Sequence, residues 1–217
     1  MPRSATTAKV IPLPRKASRE IRRQQLIDAT IETLARKGYA ALTLTDVAVE
    51  AGLSHGLVNF HFQSKEKLLS ETLQHLAAEY QQNWQHYLGR AAPSPAARID
   101  ALIRADLDQK VCTKAKLRCW TAFWGESQSR PIYQKEYGGN DEAYNALLTE
   151  ICAELIATAG YALAPLQVSR LIRAIGDGVW QDLAFSEAPY SRREALQTLH
   201  LGLSSLFPRH FSIKGLI

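Results

Sequence analysis

The fold turns on the stretch Thr43-Leu-Thr-Asp-Val-Ala-Val-Glu-Ala-Gly52-Leu-Ser-His-Gly-Leu-Val-Asn-Phe-His61-Phe-Gln-Ser-Lys65. Its spacing predicts two short helices joined by a tight turn. Ala48 is small where the helices cross. Gly52, four residues on, stands where the chain must turn sharply and where positive φ is easiest for glycine. Val47, Ala51, Leu53, Val58 and Phe62 are apolar at positions that can share one core. Thr45, Ser54, His55, Asn59 and His61 are left to point outward. This is a helix-turn-helix pattern, whose second helix enters a DNA major groove. An ordinary helical hairpin has similar spacing, so the surrounding chain must decide between the two.

Charge placement favours DNA. The net charge is +5, and residues 1–70 hold 11 Lys/Arg against 6 Asp/Glu, while residues 71–217 hold 15 of each. The whole excess therefore lies with the helix-turn-helix. Arg3, Lys9, Arg15, Lys16 and Arg19 precede the first acid, Glu20. Residues 1–17 also contain three prolines and no periodic pattern, and they read as a disordered basic arm. Such an arm is either a solvated tail or a source of phosphate and minor-groove contacts.

Outward from this stretch, every segment has helical period. Ser18 is the expected N-cap of a first helix carrying Ile27, Ile31 and Leu34, stopped by Gly38. Arg22 lies near its start, within reach of a DNA backbone. Thr43 and Asp46 form a capping box for the second helix. Ser64 caps a fourth helix, running to about Gly89, whose exposed amides and Lys65 form a phosphate site. Beyond Pro93, a helix with Ile99, Leu102 and Ile103 runs to about Val111, and Thr113 opens the next. Pro131 restarts the chain, with a bend or break expected at Gly138-Gly139-Asn140 and an end at Gly160. Pro165 opens a helix carrying Ala174 and Gly178, small residues that permit close approach of another helix. Ser191 and Glu194 cap the last helix. No stretch alternates as a strand.

The chain is 217 residues long, 46% hydrophobic and 22% charged, as expected of a soluble globular protein. No apolar run approaches the roughly 20 residues that span a bilayer, and no secretory signal precedes Ser18, so a cytoplasmic location without membrane contact is expected. Cys112, Cys119 and Cys152 show neither disulfide nor zinc spacing. HExxH, GxSxG, P-loop and GxGxxG motifs are absent from the sequence, and the six histidines show no ligand spacing. The expectation is therefore no enzyme, no cofactor and no metal.

Over residues 20–70 the sequence resembles the TetR family of bacterial transcriptional repressors. The resemblance rests on Thr-x-x-x-Val-Ala-x-x-Ala-Gly-Leu-Ser and on His61-Phe-x-Ser-Lys65. It implies an all-α fold: a three-helix helix-turn-helix DNA-binding domain at 18–64, then a larger helical ligand-binding and dimerisation domain at 65–217, entered by the connecting helix 65–89. It also implies a homodimer on a partially palindromic double-stranded operator. The expected DNA-binding residues are Arg22, Thr43, Thr45, Ser54, His55, Gly56, Asn59, Phe60, His61 and Lys65. Ser54, His55 and Asn59 face bases, whereas Thr43, His61 and Lys65 hold phosphates. Family members commonly carry tyrosine at the position of Asn59. Asparagine can instead bond an adenine edge bidentately.

The second half is similar to a narrower branch, the choline-responsive BetI-like regulators, through Trp120-Thr-Ala-Phe-Trp124, Pro131-Ile-Tyr133 and Asp177-Gly-Val-Trp180. The implied effector is a quaternary ammonium compound, held by Trp84, Trp120, Phe123, Trp124, Tyr133 and Trp180 with Asp177 as counter-charge. Two alternatives stand beside it. The aromatic residues are also what plain core packing would use, and Asp177 also stands at i+4 from Arg173. A regulator of an unrelated apolar or aromatic effector fits the same pattern, and a non-specific architectural DNA-binding protein fits only its first third. By the resemblance, the dimer interface is expected on residues 141–160 and 165–187, with Leu148, Ile151, Leu155, Ala174 and Gly178 as candidates.

Overall fold

The computed structural model describes residues 15–127, 131–187 and 190–217, and the side chains of all of these except 15–17, 126–127 and 131–137. Helix α1 (Arg15–Ala41), α2 (Leu44–Ala51) and α3 (His55–Phe62) form the first unit. Helix α4 (Lys65–Arg90) leads into α5 (Pro95–Asp106), α6 (Lys114–Ser127), α7 (Pro131–Ala159), α8 (Pro165–Phe185) and α9 (Arg192–Leu206). A hairpin of β1 (Phe211–Ser212) and β2 (Gly215–Leu216) ends the chain, with Phe211 paired to Leu216 and Ser212 to Gly215.

Local signals set most of these boundaries. Thr43 and Asp46 close a capping box on α2, and Ser191 and Glu194 close another on α9. Ser54 and Ser64 accept the amides of Leu57 and Lys67 at the starts of α3 and α4. Gly38 leaves helical geometry at φ 75° and interrupts α1 before its last turn.

Four expectations need correction. Helix α1 begins at Arg15, so Ser18 lies inside it; Arg15, Lys16 and Ala17 are good helix formers that need no cap there. Helix α5 stops at Asp106 instead of running to Val111, because the Asp108 carboxylate accepts the Lys110 amide at 2.7 Å and turns the chain. Helix α7 runs through Gly138-Gly139 without a break. Two glycines cost about 1 kcal/mol each in a helix, and burial of Tyr144, Leu148, Ile151 and Leu155 further along offsets that. The terminal hairpin was not visible as alternation, since two residues per strand are too few to show a period.

One continuous core joins the two units. Helix α1 packs along α6, and α4 touches α1, α5 and α7. The stripe of α4 is therefore shared: Leu69, Leu73 and Leu76 are buried near α1, and Tyr80 and Trp84 are buried further along. Each such side chain contributes roughly 1.5–3 kcal/mol by burial.

Candidate functional site

The first candidate surface is built by α2 and α3. Gly52 adopts φ 63°, ψ 33°, and its neighbour Leu53 donates its amide to Ala48 O at 2.9 Å while Gly52 donates to Val49 O at 3.1 Å. This pair of bonds is a Schellman closure, which needs the left-handed residue that glycine supplies. Val47, Ala48, Ala51, Val58 and Phe62 are buried, and Leu53 is half-buried. Thr45, Ser54, His55 and Asn59 are exposed, as the pattern implied, and so is Gly56, whereas His61 is exposed only in part. The Gln25 side chain donates to Ala51 O at 2.7 Å and ties α1 to the end of α2.

On the outer face of α3, Asn59 Nδ2 stands 3.2 Å from His55 Nδ1, one helical turn away. When Asn59 donates, His55 carries its proton on Nε2 and presents a donor outward. Asn59 then keeps its carbonyl oxygen and one N–H free. Phe60 is 63% exposed, and the Arg19 guanidinium lies 5.6 Å from its ring centre. His61 is half-buried. Burial, and then Arg19 and Arg23, hold its imidazole below the usual range. Arg22 is exposed and donates to Gln25 at 2.7 Å.

Two expected phosphate ligands have internal partners. The Thr43 hydroxyl donates to Asp46 Oδ2 at 2.8 Å while accepting the Asp46 amide. Asp46 also accepts from Lys37 at 2.7 Å, and the Lys37 and Thr43 hydrogen bonds hold its pKa down at about 2. Lys65 donates to Tyr39 O at 2.8 Å and Ala40 O at 3.2 Å, with its ammonium over the Tyr39 ring. It thereby pins the corner between α1 and α2. Gln63, between α3 and α4, has φ 62°, and Ser64 N bonds Phe62 O at 2.7 Å across it. That is a positive-φ γ-turn, a strained form for a residue with a side chain.

The second candidate site is an acid enclosed by aromatic rings. Tyr80 Oη donates to Asp106 Oδ1 at 2.7 Å, and Tyr144 Oη donates to Oδ2 at 3.0 Å. Trp180 Nε1 donates to the Asp106 carbonyl at 3.0 Å. Tyr80 lies edge-on to Trp120 and Trp180, and Trp84 is edge-on to Tyr144. Trp124 stacks on Trp180 with ring centres 6.4 Å apart. Burial pushes the Asp106 carboxyl and both tyrosine hydroxyls above their usual ranges, so the tyrosines stay neutral donors.

Arg173 completes the site. It pairs with Asp141 at 2.9 Å and Asp177 at 3.3 Å, donates to Tyr80 Oη at 3.4 Å, and lies 5.2 Å from the Tyr144 ring centre. The cavity between these groups is only about 10 Å³, roughly the room of one water. The conformation described is therefore closed.

The structure brings part of the expected aromatic set together. Trp84, Trp120, Trp124 and Trp180 come together, and Phe123 is buried in the common core. The Tyr133 side chain lies outside the described residues. Asp177 faces Arg173, whereas the acid among the rings is Asp106. Tyr80, Asp106, Tyr144 and Arg173 were missed as site residues. Tyr80 and Tyr144 stand at helical spacing with the apolar residues of α4 and α7, and Asp106 falls inside the helix expected to run to about Val111.

Residues 26–72 match the family described as bacterial regulatory proteins, tetR family, and residues 95–208 match the BetI-type transcriptional repressor C-terminal domain. The chain belongs to the TetR family. The HTH-type transcriptional regulator BetI of Paraburkholderia xenovorans (strain LB400) is 32% identical over 86% of this chain and 93% of its own. A transcriptional regulator of Pseudomonas aeruginosa PAO1 superposes with a TM-score of 0.73 at 24% identity, over 86% of this chain and 90% of its own. A transcriptional regulator of Saccharomonospora viridis, solved in complex with choline, gives a TM-score of 0.75 at 19% identity, over 85% of this chain and 96% of its own. At such identities these two structures establish the shared fold. Helix α4 leads from the segment matched to the tetR family into the BetI-type segment, and α1 of the first also packs along α6 of the second. No helix among the described residues is long and apolar enough to cross a membrane.

Proposed function

We propose that the chain is a homodimeric repressor that reads a partially palindromic operator and responds to choline or a related quaternary amine. The observation that carries the DNA reading is the exposed, pre-bonded pair His55 and Asn59 on a helix capped by Ser54. Asn59 offers an acceptor and a donor to adenine N6 and N7, and His55 Nε2 offers a donor to a neighbouring purine. Ser54 completes the base-facing set. Gly56 lets the backbone approach, and Phe60 offers an apolar contact, such as a thymine methyl. Thr45 and Arg22 are the exposed phosphate ligands, Arg22 keeping further N–H donors beyond the one given to Gln25, with His61 acting as a neutral donor. Thr43 is committed to Asp46, so it shapes the α2 terminus more than it binds. Lys65 keeps one of its three N–H donors for a phosphate.

A second copy is needed to read the second half-site, about 34 Å away or a multiple of it. Leu148, Ile151 and Leu155 are no more than 2% exposed in the single chain, so they belong to its core and not to an interface. Their apolar stripe packs α7 inward. Ala174 and Gly178 remain exposed on α8, beside exposed Leu171 and Phe185. Leu201 is exposed on α9. The close approach of α8 to α9 occurs at Gly202, where a methyl would stand 2.8 Å from Ile175 Cδ1. The outer face of α8 and α9 is therefore the proposed dimer surface.

The effector reading rests on charge. Asp106, Asp141 and Asp177 surround a single Arg173, and Asp106 takes its hydrogen bonds from neutral hydroxyls. A trimethylammonium group cannot hydrogen-bond, and it favours ring faces with an acid nearby. It would enter by widening the closed cage. Footprinting on DNA flanking the chain's own gene should protect a partial palindrome, and choline should raise the melting temperature. Sequence-independent protection, or no shift with choline, betaine aldehyde or betaine at millimolar levels, would remove the respective half of the reading.

A further inference from the structure

A second cavity, a groove of about 860 Å³, lies between α4, α5 and the terminal hairpin. That is within the range of small-molecule sites, roughly 300–1,000 Å³. One wall is α4, through Gln82, Asn83, His86, Tyr87 and Arg90; α5 supplies another, through Ala97, Asp100, Ala101 and Arg104. Leu216 of the terminal hairpin closes the far side and remains 42% exposed. The small side chains of Ala97 and Ala101 leave the space.

The groove's lining carries three cations, Arg90, Arg104 and Lys110, against two acids, Asp100 and Asp108. Its two acids are already supplied with donors. Asp100 faces His200 at 2.7 Å and Arg104 at 2.6 Å, and Asp108 accepts from Tyr87 Oη at 2.6 Å and from the Lys110 amide at 2.7 Å. The side chains of Arg90 and Lys110, which also line the groove, make no hydrogen bond or ion pair among the described residues. Both stand near the Tyr87–Asp108 link, since Arg90 follows Tyr87 by three residues on one helix face and Lys110 follows Asp108 by two.

We propose that this groove is a second binding site, for an amphiphilic anion whose carboxylate or phosphate headgroup sits between Arg90 and Lys110. Its short apolar body lies along Ala97, Ala101 and Leu216. A surplus of cationic side chains over acids favours an anion, and a half-covered leucine beside alanines favours an apolar body. The site is distinct from the aromatic cage, which holds an excess of acids. The two share a wall, because Asn83 at the groove donates to Ala105 O at 2.8 Å, next to Asp106 in the cage.

The test is isothermal titration of the full chain with octanoate and octyl phosphate, with octanol as the neutral control. The double variant Arg90→Gln/Lys110→Gln changes two exposed side chains and leaves the core intact. Trp180→Phe probes the cage separately. Either anion should bind more tightly than octanol, and the relative strength of the two names the headgroup. The double variant should weaken that anion about tenfold or more, whereas Trp180→Phe should leave it unchanged. Equal binding of octanol and both anions would overturn the proposal. So would an unaffected double variant, or loss of binding in Trp180→Phe instead. Operator and choline binding do not depend on this outcome.

Discussion

The two ends of α4 face opposite problems. At its start, α3 displays polar groups to water, held in place by short local bonds such as Asn59 to His55 and Ser54 to Leu57. Along its second half, Tyr80 helps enclose an acid that water barely reaches. The first surface can meet a partner without rearrangement. The second must open, since about 10 Å³ admits no organic cation. The difference teaches where regulation can act. If the cage takes the proposed effector, its opening would act on the same helix that carries the reader.

The largest effect that sharpens this comparison should come from neighbours on α3. Phe62 is fully buried and Phe60 is 63% exposed. Phe62→Ala should cost about 3–5 kcal/mol in urea unfolding. Phe60→Ala should stay within about 0.5 kcal/mol of wild type, while still weakening operator binding. Equal stability losses would mean that the α3 surface is not an open reader.

At the cage, Arg173→Met leaves three acids without their guanidinium and should destabilise the chain by about 3 kcal/mol. Choline should recover part of that loss, because it returns a positive charge. A neutral result would break the claim that the site is short of cations.

On the reader, Asn59→Ala should cost about 1–3 kcal/mol at one base pair and leave the others unchanged. Competition binding against single-base operator variants checks this. A uniform loss over all sequences would make Asn59 a backbone contact. A smaller loss of stability than at Phe62 or Arg173 is expected at the turn, where Gly52→Ala should cost about 1–2 kcal/mol for the left-handed residue without changing base preference.

Protonation gives a further contrast. Burial raises the Asp106 pKa above 3.8, and a cation binds the ionised carboxylate. Choline affinity should therefore fall as pH is lowered from neutrality toward 3.8. In the empty protein the sign is reversed. There the raised pKa contributes stability below the unfolded value, and that contribution is lost as pH rises through the folded value. Melting curves with and without choline across this range should diverge as pH rises.

The reader was legible because its determinants are close in sequence. Thr43 with Asp46, Ala48 with Gly52 and Ser54 with Leu57 are each three or four residues apart. The cage was only half legible. Trp120, Trp124 and Trp180 stood out by residue type, but an aromatic residue at helical spacing looks the same whether it packs or binds. Tyr80 and Tyr144 were hidden in that way. Asp106 was hidden by the end of α5, where the Asp108 turn stops a helix that apolar spacing alone would extend. Asp177 was legible as an acid, and its i+4 pairing with Arg173 was the alternative already visible in the spacing. Leu148, Ile151 and Leu155 were misassigned to an interface for a related reason, whereas Ala174 and Gly178 stay exposed. Period alone marks an apolar face on α7 without saying whether the same chain or a second copy covers it.

The most direct measurement is a choline titration of the protein–operator complex by fluorescence anisotropy, with wild type and Asp106→Asn side by side. The two should bind operator equally well without choline, and choline should shift the half-saturation of wild type but not of the variant. An operator affinity indifferent to millimolar choline in wild type, or an equal shift in both proteins, would contradict the link between the cage and the reader.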